Sequence, residues 1–384
     1  MNGYICGENN QFSATMQPIK IKICLVGDSL SGGGAERVHA LLSEYFSSKG
    51  IEVYNVLVQD SISYNFSGEL LNLGLLKNDK NGIINKIKRF RILRNYIKGH
   101  NFDYVIDFRM RKKYIQDLLI SRFVYTFPTI YTIHSGVLKW YMPQQRWLTK
   151  LIYGNAHGII SITHKMKANI ENYYHLTNVK NIYNPVDICY IERKCKEDFV
   201  DPDYLYILAV GSMHANNVKQ FDKLIEAYAN SQLPKNNVKL VILGEGSQTN
   251  ILENFSEKLG LKHMVIFKGF QENPYVYMSD ALFYVLSSKN EGLPMVLLES
   301  LACGTPVVSF DCFTGPSEII IHKENGLLIE DQNVEELTKG INVMYEDKEL
   351  YERCRQNAKA SIAKFSLNTI GDQWMEFLKI QNQN

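Results

Sequence analysis

A chain of 384 residues exceeds what one ordinary hydrophobic core organises, so its length points to about two domains. With 45% hydrophobic and 21% charged residues it is neither disordered nor fibrous, and both halves are expected to fold. A formal net charge of +2 excludes the global basic field that drives nucleic-acid binding. No apolar run approaches the roughly 18 residues needed to span a bilayer, the longest being of strand length.

Residues 1–20 carry neither a basic start nor an apolar stretch, so they read as a mobile leader rather than a signal peptide. From Ile21, short β-branched runs alternate with segments of helical period, the pattern of parallel βαβ units. Strands are expected at 21–26, 53–58, 104–108, 129–133, 158–161 and 179–183. Between them, a helix over 35–49 stops at Gly50, and another over 165–174 opens on Thr163 as N-cap. Together, residues 21–187 make one doubly wound domain.

Between Lys77 and Lys98 lies a basic amphipathic stretch, with Ile83, Ile87, Phe90 and Ile97 as one stripe among lysines and arginines. It fits either an anionic membrane surface or a core-packed helix with a solvated rim. Trp140-Tyr141 and Arg146-Trp147 could extend such a face or pack internally.

Residues 188–203, charged and poor in periodicity, suit an interdomain connection. A second series then places strands at 206–210, 239–243, 265–267, 282–286, 307–309 and 327–329, with helices at 221–230, 251–259, 295–302 and 335–345. The second domain is therefore 204–365, and a last helix, within 366–384, is expected to cross back to the first domain. The fold class is α/β, two Rossmann-like doubly wound domains facing each other across a cleft, and the cleft is the default ligand site. Seven cysteines, odd in number and without a CxxC pair, read as reduced, buried thiols of a cytosolic protein.

The stretch from Asn290 to Ser309 carries the densest chemistry. It turns at Gly292, starts a helix with Pro294 in the first position and stops it at Gly304. Backbone amides at that start, with the helix dipole, make an anion site able to take a diphosphate. Glu291 just before the helix and Glu299 about one turn inside can both accept hydrogen bonds from the hydroxyls of one ligand.

A Glu, seven residues and a second Glu, with Gly-Leu-Pro (Gly292, Leu293, Pro294) after the first, resembles the signature of the family 4 retaining glycosyltransferases, and the likeness runs from Ile21 through nearly the whole chain. The resemblance implies the GT-B arrangement of two facing domains. It assigns Glu291 to sugar hydroxyls and Glu299 to the nucleotide ribose. Lys219 matches the family's diphosphate-binding lysine, whereas Ser212 stands where an arginine is usual, so one cationic contact is missing or supplied elsewhere. The Gly33-Gly34 turn is weak evidence alone but resembles the family's loop facing the donor phosphates across the cleft. His134, ending the strand 129–133, matches a family histidine near the transferred sugar; a histidine satisfied by local backbone is the alternative. Gly315 to Ile320 resembles an element near the nucleotide, and Gly244 to Ser247 is a turn that could border it.

The implied reaction moves a hexosyl group from a nucleoside diphosphate sugar to an acceptor hydroxyl with retention. The acceptor is a saccharide or lipid-linked saccharide of surface polysaccharide assembly, and the setting is cytoplasmic with an anionic membrane surface as partner. Glu291, His134 and Lys219 are the catalytic candidates. Neither metal nor other cofactor is expected, since Lys219 and the Gly292 to Pro294 amides would stabilise the departing diphosphate, and in this family the leaving phosphate takes the acceptor proton. Rival readings are a sugar-nucleotide epimerase or phosphorylase of related fold, or a catalytically idle sugar-nucleotide-binding subunit, which the Ser212 departure suggests.

Overall fold

Runs of Ile, Val and Leu that are apolar on both faces form parallel strands covered by helices on either side. The computed structural model describes residues 21–78, 82–198 and 202–381. Residues 1–20, read above as a leader, lie outside the described residues, as do 79–81 of the basic stretch, 199–201 of the connection and 382–384 at the end.

The first sheet contains β1 (Lys22–Gly27), β2 (Glu52–Leu57), β3 (Glu69–Asn72), β4 (Tyr104–Asp107), β5 (Thr129–Ile133), β6 (Gly158–Ser161) and β7 (Val179–Asn181), in the order β3-β2-β1-β4-β5-β6-β7. The second contains β8 (Tyr206–Val210), β9 (Lys239–Leu243), β10 (Val265–Gly269), β11 (Tyr284–Leu286), β12 (Val307–Phe310) and β13 (Gly326–Ile329), in the order β10-β9-β8-β11-β12-β13. All pairings within both sheets are parallel, with β1 in register with β2 from Lys22 opposite Glu52, and β8 with β9 from Tyr206 opposite Lys239. Strand order reverses beside β1 and beside β8, which opens a crevice at the carboxyl end of each sheet.

The first domain adds α1 (Gly34–Ser48), α2 (Ile83–His100), α3 (Tyr114–Phe123), α4 (Arg146–Tyr153) and α5 (His164–Tyr174). After α6 (Ile188–Lys194), the second carries α7 (Phe221–Ala229), α8 (Thr249–Lys258), α9 (Tyr275–Asp280), α10 (Met295–Ala302), α11 (Pro316–Ile319), α12 (Val334–Glu346) and α13 (Lys348–Ser361). Finally α14 (Leu367–Phe377), capped by Ser366, packs Ile370, Trp374 and Leu378 into the core of the first domain with Leu25, Leu42 and Phe46. Tyr45 there donates to Asp372 at 2.6 Å, and the backbone of Val186 exchanges hydrogen bonds with Phe365 and Leu367.

The structure differs from the sequence reading in several places, among them the helix α13, which the sequence reading did not place. Strand β3 is an additional edge strand, its neighbour β2 reaching over through Asn55, whose amide donates to the carbonyls of Ser67 and Glu69. The connection contains the helix α6, whose Asp187 cap accepts from the Tyr190 amide. Pro294 is not the first helical residue but the one before it, because its ψ of 100° is extended and α10 starts at Met295. Of the described cysteines, Cys24, Cys312 and Cys354 are buried, but Cys189 is exposed and Cys195 and Cys303 partly so. The first two of those three belong to the short surface helix α6 and its end.

Candidate active site

Strand ends of both sheets converge on the cleft, and backbone fit fixes how closely. A Cβ at Gly292 would collide with the carbonyl of His134 at the end of β5, and one at Gly136 would press on the Thr314 hydroxyl at 2.9 Å. The Gly292 turn is itself packed against Gly315, whose φ of +99° favours glycine and whose hypothetical Cβ would strike Pro294. Thr314 donates to the Glu291 carbonyl. The loop before α10 is thus held between β5 of one domain and the 314–315 turn of its own.

On that loop the Glu291 carboxylate meets Lys219 Nζ at 2.7 Å, their side chains 13% and 21% exposed. Lys219 reaches there by lying across Gly211 at the end of β8, where a Cβ would stand 3.1 Å from its stem, and its carbonyl accepts from Ser287 at 2.7 Å. The Lys219 cation and the Glu291 anion thus meet beside the amino end of α10, where the helix dipole favours an anion. Ser212 is exposed and carries no charge into this arrangement.

Across the cleft, Gly33 is the N-cap of α1 and Gly34 its first residue. Gly34 faces Met295, the first residue of α10, at a distance where a Cβ would make ordinary contact of 3.7 Å. The glycine turn and the start of α10 therefore form opposite walls.

One turn further into both helices, Arg37 of α1 and Glu299 of α10 form an ion pair at 2.5 Å, and Arg37 also donates to the Tyr275 hydroxyl. Burial alone would lower the Arg37 value, but the Glu299 carboxylate and Tyr275 more than offset it, so the guanidinium stays charged. Neither Arg37 nor Tyr275 was singled out from the sequence. Arg37 lies three residues beyond Gly34 in the same glycine-rich segment, where a cation near a helix start is unfavourable without an anion, and that was the available signal.

His134 places Nε2 2.9 Å from the Thr132 hydroxyl and stacks on Phe108 at 5.8 Å between ring centres. Burial, with the nearby Arg111 cation, pushes its value down to about 3, so the imidazole is neutral at physiological pH and suited to hydrogen bonding rather than proton donation. Beneath it lies a charged layer in which Asp107 takes a bidentate contact from Arg109, and Arg111, fully enclosed, sits over the rings of Tyr131, Tyr141 and Tyr153. Asp28, at the end of β1, accepts from the Met110 amide at 2.8 Å, and burial raises its value.

Glu318, in the Gly315 to Ile320 segment, turns toward the first domain. Its carboxylate accepts from the amides of His164 and Lys165 at the start of α5 and from the Tyr183 hydroxyl, clasping the two domains. Gly244 backs Gly211, where its φ of +119° leaves no room for a Cβ. Among the described residues no group of three or more His, Cys, Asp or Glu is placed to hold a metal ion.

The outer face of the first domain divides the expected stripe. Leu93 and Ile97 of α2 are buried, whereas Ile83, Ile84 and Ile87 are exposed, Ile84 by 85%. Arg94 donates to the Phe123 carbonyl and Arg122 to that of Leu151, so α2, α3 and α4 adjoin. On α3 the i, i+4, i+8 set Ile115, Leu119 and Phe123 is exposed, as are Trp147 and Leu151 on α4. Tyr141 is buried. Among the described residues no helix is long and apolar enough to cross a membrane.

Comparison with known proteins follows the same two-part division. Residues 32–189 match the model of Glycosyltransferase Family 4 and residues 192–361 that of Glycosyl transferases group 1. The N-acetylgalactosamine-N,N'-diacetylbacillosaminyl-diphospho-undecaprenol 4-alpha-N-acetylgalactosaminyltransferase of Campylobacter jejuni is 31% identical over 367 residues, covering 91% of this chain and 97% of its own. The amylovoran biosynthesis glycosyltransferase AmsD of Erwinia amylovora is 25% identical over 360 residues, 93% of this chain and 99% of its own. The crystal structure of Anabaena Alr3699/HepE in complex with UDP-glucose shares the fold with a TM-score of 0.74, at 20% identity over 94% of this chain and all of its own. With both halves matched and nearly full-length likeness to a 31% identical relative, the chain belongs to the family 4, group 1 glycosyltransferases, with the GT-B fold.

Proposed function

We propose that the chain transfers a hexosyl group, with retention of anomeric configuration, from a nucleoside diphosphate sugar to a hydroxyl of a lipid-linked saccharide in surface polysaccharide assembly. The observation that carries the reading is the Lys219–Glu291 pair at 2.7 Å beside the start of α10, opposite the Gly33-Gly34 turn. A donor diphosphate resting on the amino end of α10 and on Lys219 has its developing charge stabilised electrostatically, a role that calls for no divalent metal. Glu291 then faces the hydroxyls of the transferred sugar, and Glu299, on exchanging Arg37, the ribose. His134 supplies a neutral hydrogen-bonding group from the acceptor side.

The donor and acceptor classes draw support from relatives: Anabaena Alr3699/HepE was solved with UDP-glucose, and the Campylobacter jejuni enzyme is named for a diphospho-undecaprenol acceptor. The exposed apolar residues of α2, α3 and α4, ringed by Lys86, Lys88, Arg91 and Arg122, suit the anionic surface in which such an acceptor is anchored. In this reading the enzyme works at the cytoplasmic face of a membrane.

The deciding experiment incubates the purified chain with UDP-, GDP- and ADP-hexoses of known anomeric form and a polyprenyl-diphosphate-linked saccharide. An NMR spectrum of the product showing the donor's own anomeric configuration supports the proposal. An inverted product, or donor epimerised without acceptor, would defeat it.

A further inference from the structure

Away from the cleft, two partly exposed thiols meet. Cys195 ends α6 in the interdomain connection, Cys303 ends α10, and their sulfurs lie 3.3 Å apart although 108 positions separate them in the chain. Both also approach the Tyr275 carbonyl, at 3.7 and 3.8 Å. The pair stands between two surface cavities, one of about 430 Å³ lined by Cys303, Arg355 and Lys359, the other of about 340 Å³ lined by Cys195, Lys196 and Ser279. Each cysteine thus borders a surface cavity.

The surroundings distinguish the two sulfurs chemically. The hydrogen-bonding contact with Cys303 holds the Cys195 thiol below its ordinary value against the opposing effect of burial, with Ser279 and the Lys359 cation assisting. The same contact and burial push Cys303 up. A nucleophilic sulfur therefore has a protonated partner within reach, whereas burial raises Cys24, Cys312 and Cys354.

We propose that Cys195 and Cys303 form an oxidation site, which a peroxide converts into an intramolecular disulfide that fastens α10 to the interdomain connection and slows transfer. The Cys195 thiolate attacks one peroxide oxygen, the O–O bond breaks, and Cys195 becomes a sulfenic acid while the other oxygen leaves as hydroxide, which takes up the proton the Cys195 thiol released and becomes water. Cys303 sulfur then attacks the Cys195 sulfur, the S–O bond breaks, and the hydroxyl leaves as a second water with the Cys303 proton. Two thiols lose two electrons and one peroxide gains them. Bonding requires the sulfurs to close from 3.3 Å to about 2.05 Å. The Cys303 amide donates to the Glu299 carbonyl at 3.0 Å, so the cross-link lies one turn from a carboxylate assigned to the donor. The effect on transfer rests on the function proposed above; formation of the cross-link does not.

The test treats the full reduced chain with hydrogen peroxide, alkylates the remaining thiols and maps the peptides by mass spectrometry. A Cys195–Cys303 peptide pair, lost with dithiothreitol and absent in Cys195→Ser, is expected, together with at least a tenfold, dithiothreitol-reversible fall in turnover that Cys195→Ser does not show. Cys195 recovered as sulfinic acid with Cys303 alkylated would overturn the site. Full cross-linking with unchanged turnover would overturn its control of transfer. If the reduced wild-type chain turns nothing over, the transfer reading has failed, and the peptide map still decides the disulfide.

Discussion

Arg37 and Glu299, 262 positions apart, join α1 to α10 at 2.5 Å across the cleft, so a carboxylate assigned to the ribose already holds a protein cation. Removing one partner of a fully buried ion pair costs about 3–5 kcal/mol. With Arg37 20% exposed and Glu299 7%, the loss for Arg37→Ala should fall at the lower end of that range. Urea denaturation checks it, and Glu299→Ala should add little in the Arg37→Ala background. Fully additive losses would mean that the two residues act separately.

Glu291→Gln keeps the shape of the loop before α10 but removes the anion facing Lys219. Turnover should fall by about 100-fold or more, as for other groups that act on developing charge, while the Kd for nucleoside diphosphate changes only slightly. Steady-state kinetics with calorimetry separates the two quantities. A near-normal kcat would remove Glu291 from the chemistry.

Lys219→Ala should discriminate between ligands. A charge-assisted contact contributes about 1.5–3 kcal/mol, so nucleoside diphosphate binding should weaken by roughly 10- to 100-fold while the parent nucleoside binds unchanged. Equal weakening of both would place Lys219 away from the phosphates.

Acid sensitivity follows from two histidines. Burial lowers His134 to about 3 and His39 to about 4, so between those values and the ordinary 6.5 the unfolded chain binds protons that the folded chain refuses. Each histidine therefore removes stability as pH falls through that window, by up to about 1.4 kcal/mol per unit. Asp117, raised by burial to about 6, works in the opposite sense, because its folded form is the one that holds the proton. Denaturant melts from pH 7 to 5 should show a net decline, flattened by His39→Gln and steepened by Asp117→Asn.

Flotation with liposomes checks the outer face of the first domain. Binding should require anionic lipid, weaken as salt rises, and drop in Ile84→Glu and Trp147→Glu, two exposed residues with no part in the cleft. Binding that is indifferent to lipid charge would contradict the electrostatic part.

Most strands were legible because each is a short apolar run of one composition, and α10 was legible because its turn, start and stop all lie within twenty residues. Strand β3 escaped for the opposite reason: Glu69-Leu-Leu-Asn72 is four residues with polar ends, and its pairing is secured by the side chain of Asn55 from the neighbouring strand. The individual candidates Glu291, Lys219 and Gly34 could be named from local motifs, but which residues meet across the chain could not. Arg37 with Glu299, and Glu318 with the amides of α5, join positions 262 and 154 apart, and no periodicity encodes such distances. Cys195 and Cys303 illustrate the same limit, since scattered thiols in the sequence are neighbours in space.

The return of α14 to the first domain means that the polypeptide passes between the domains twice, once around residue 187 and again at Phe365 and Ser366, and Val186 of the first passage is bonded to the second. Two adjacent covalent crossings pin the domains together at one place. Beyond these crossings, the Arg37–Glu299 pair and the contacts of Glu318 with the His164 and Lys165 amides also hold one domain to the other. A chain cut after Ser361 would keep every residue proposed above to bind the donor, yet lose one crossing and uncover the apolar groove on the first domain that Ile370, Trp374 and Leu378 now fill.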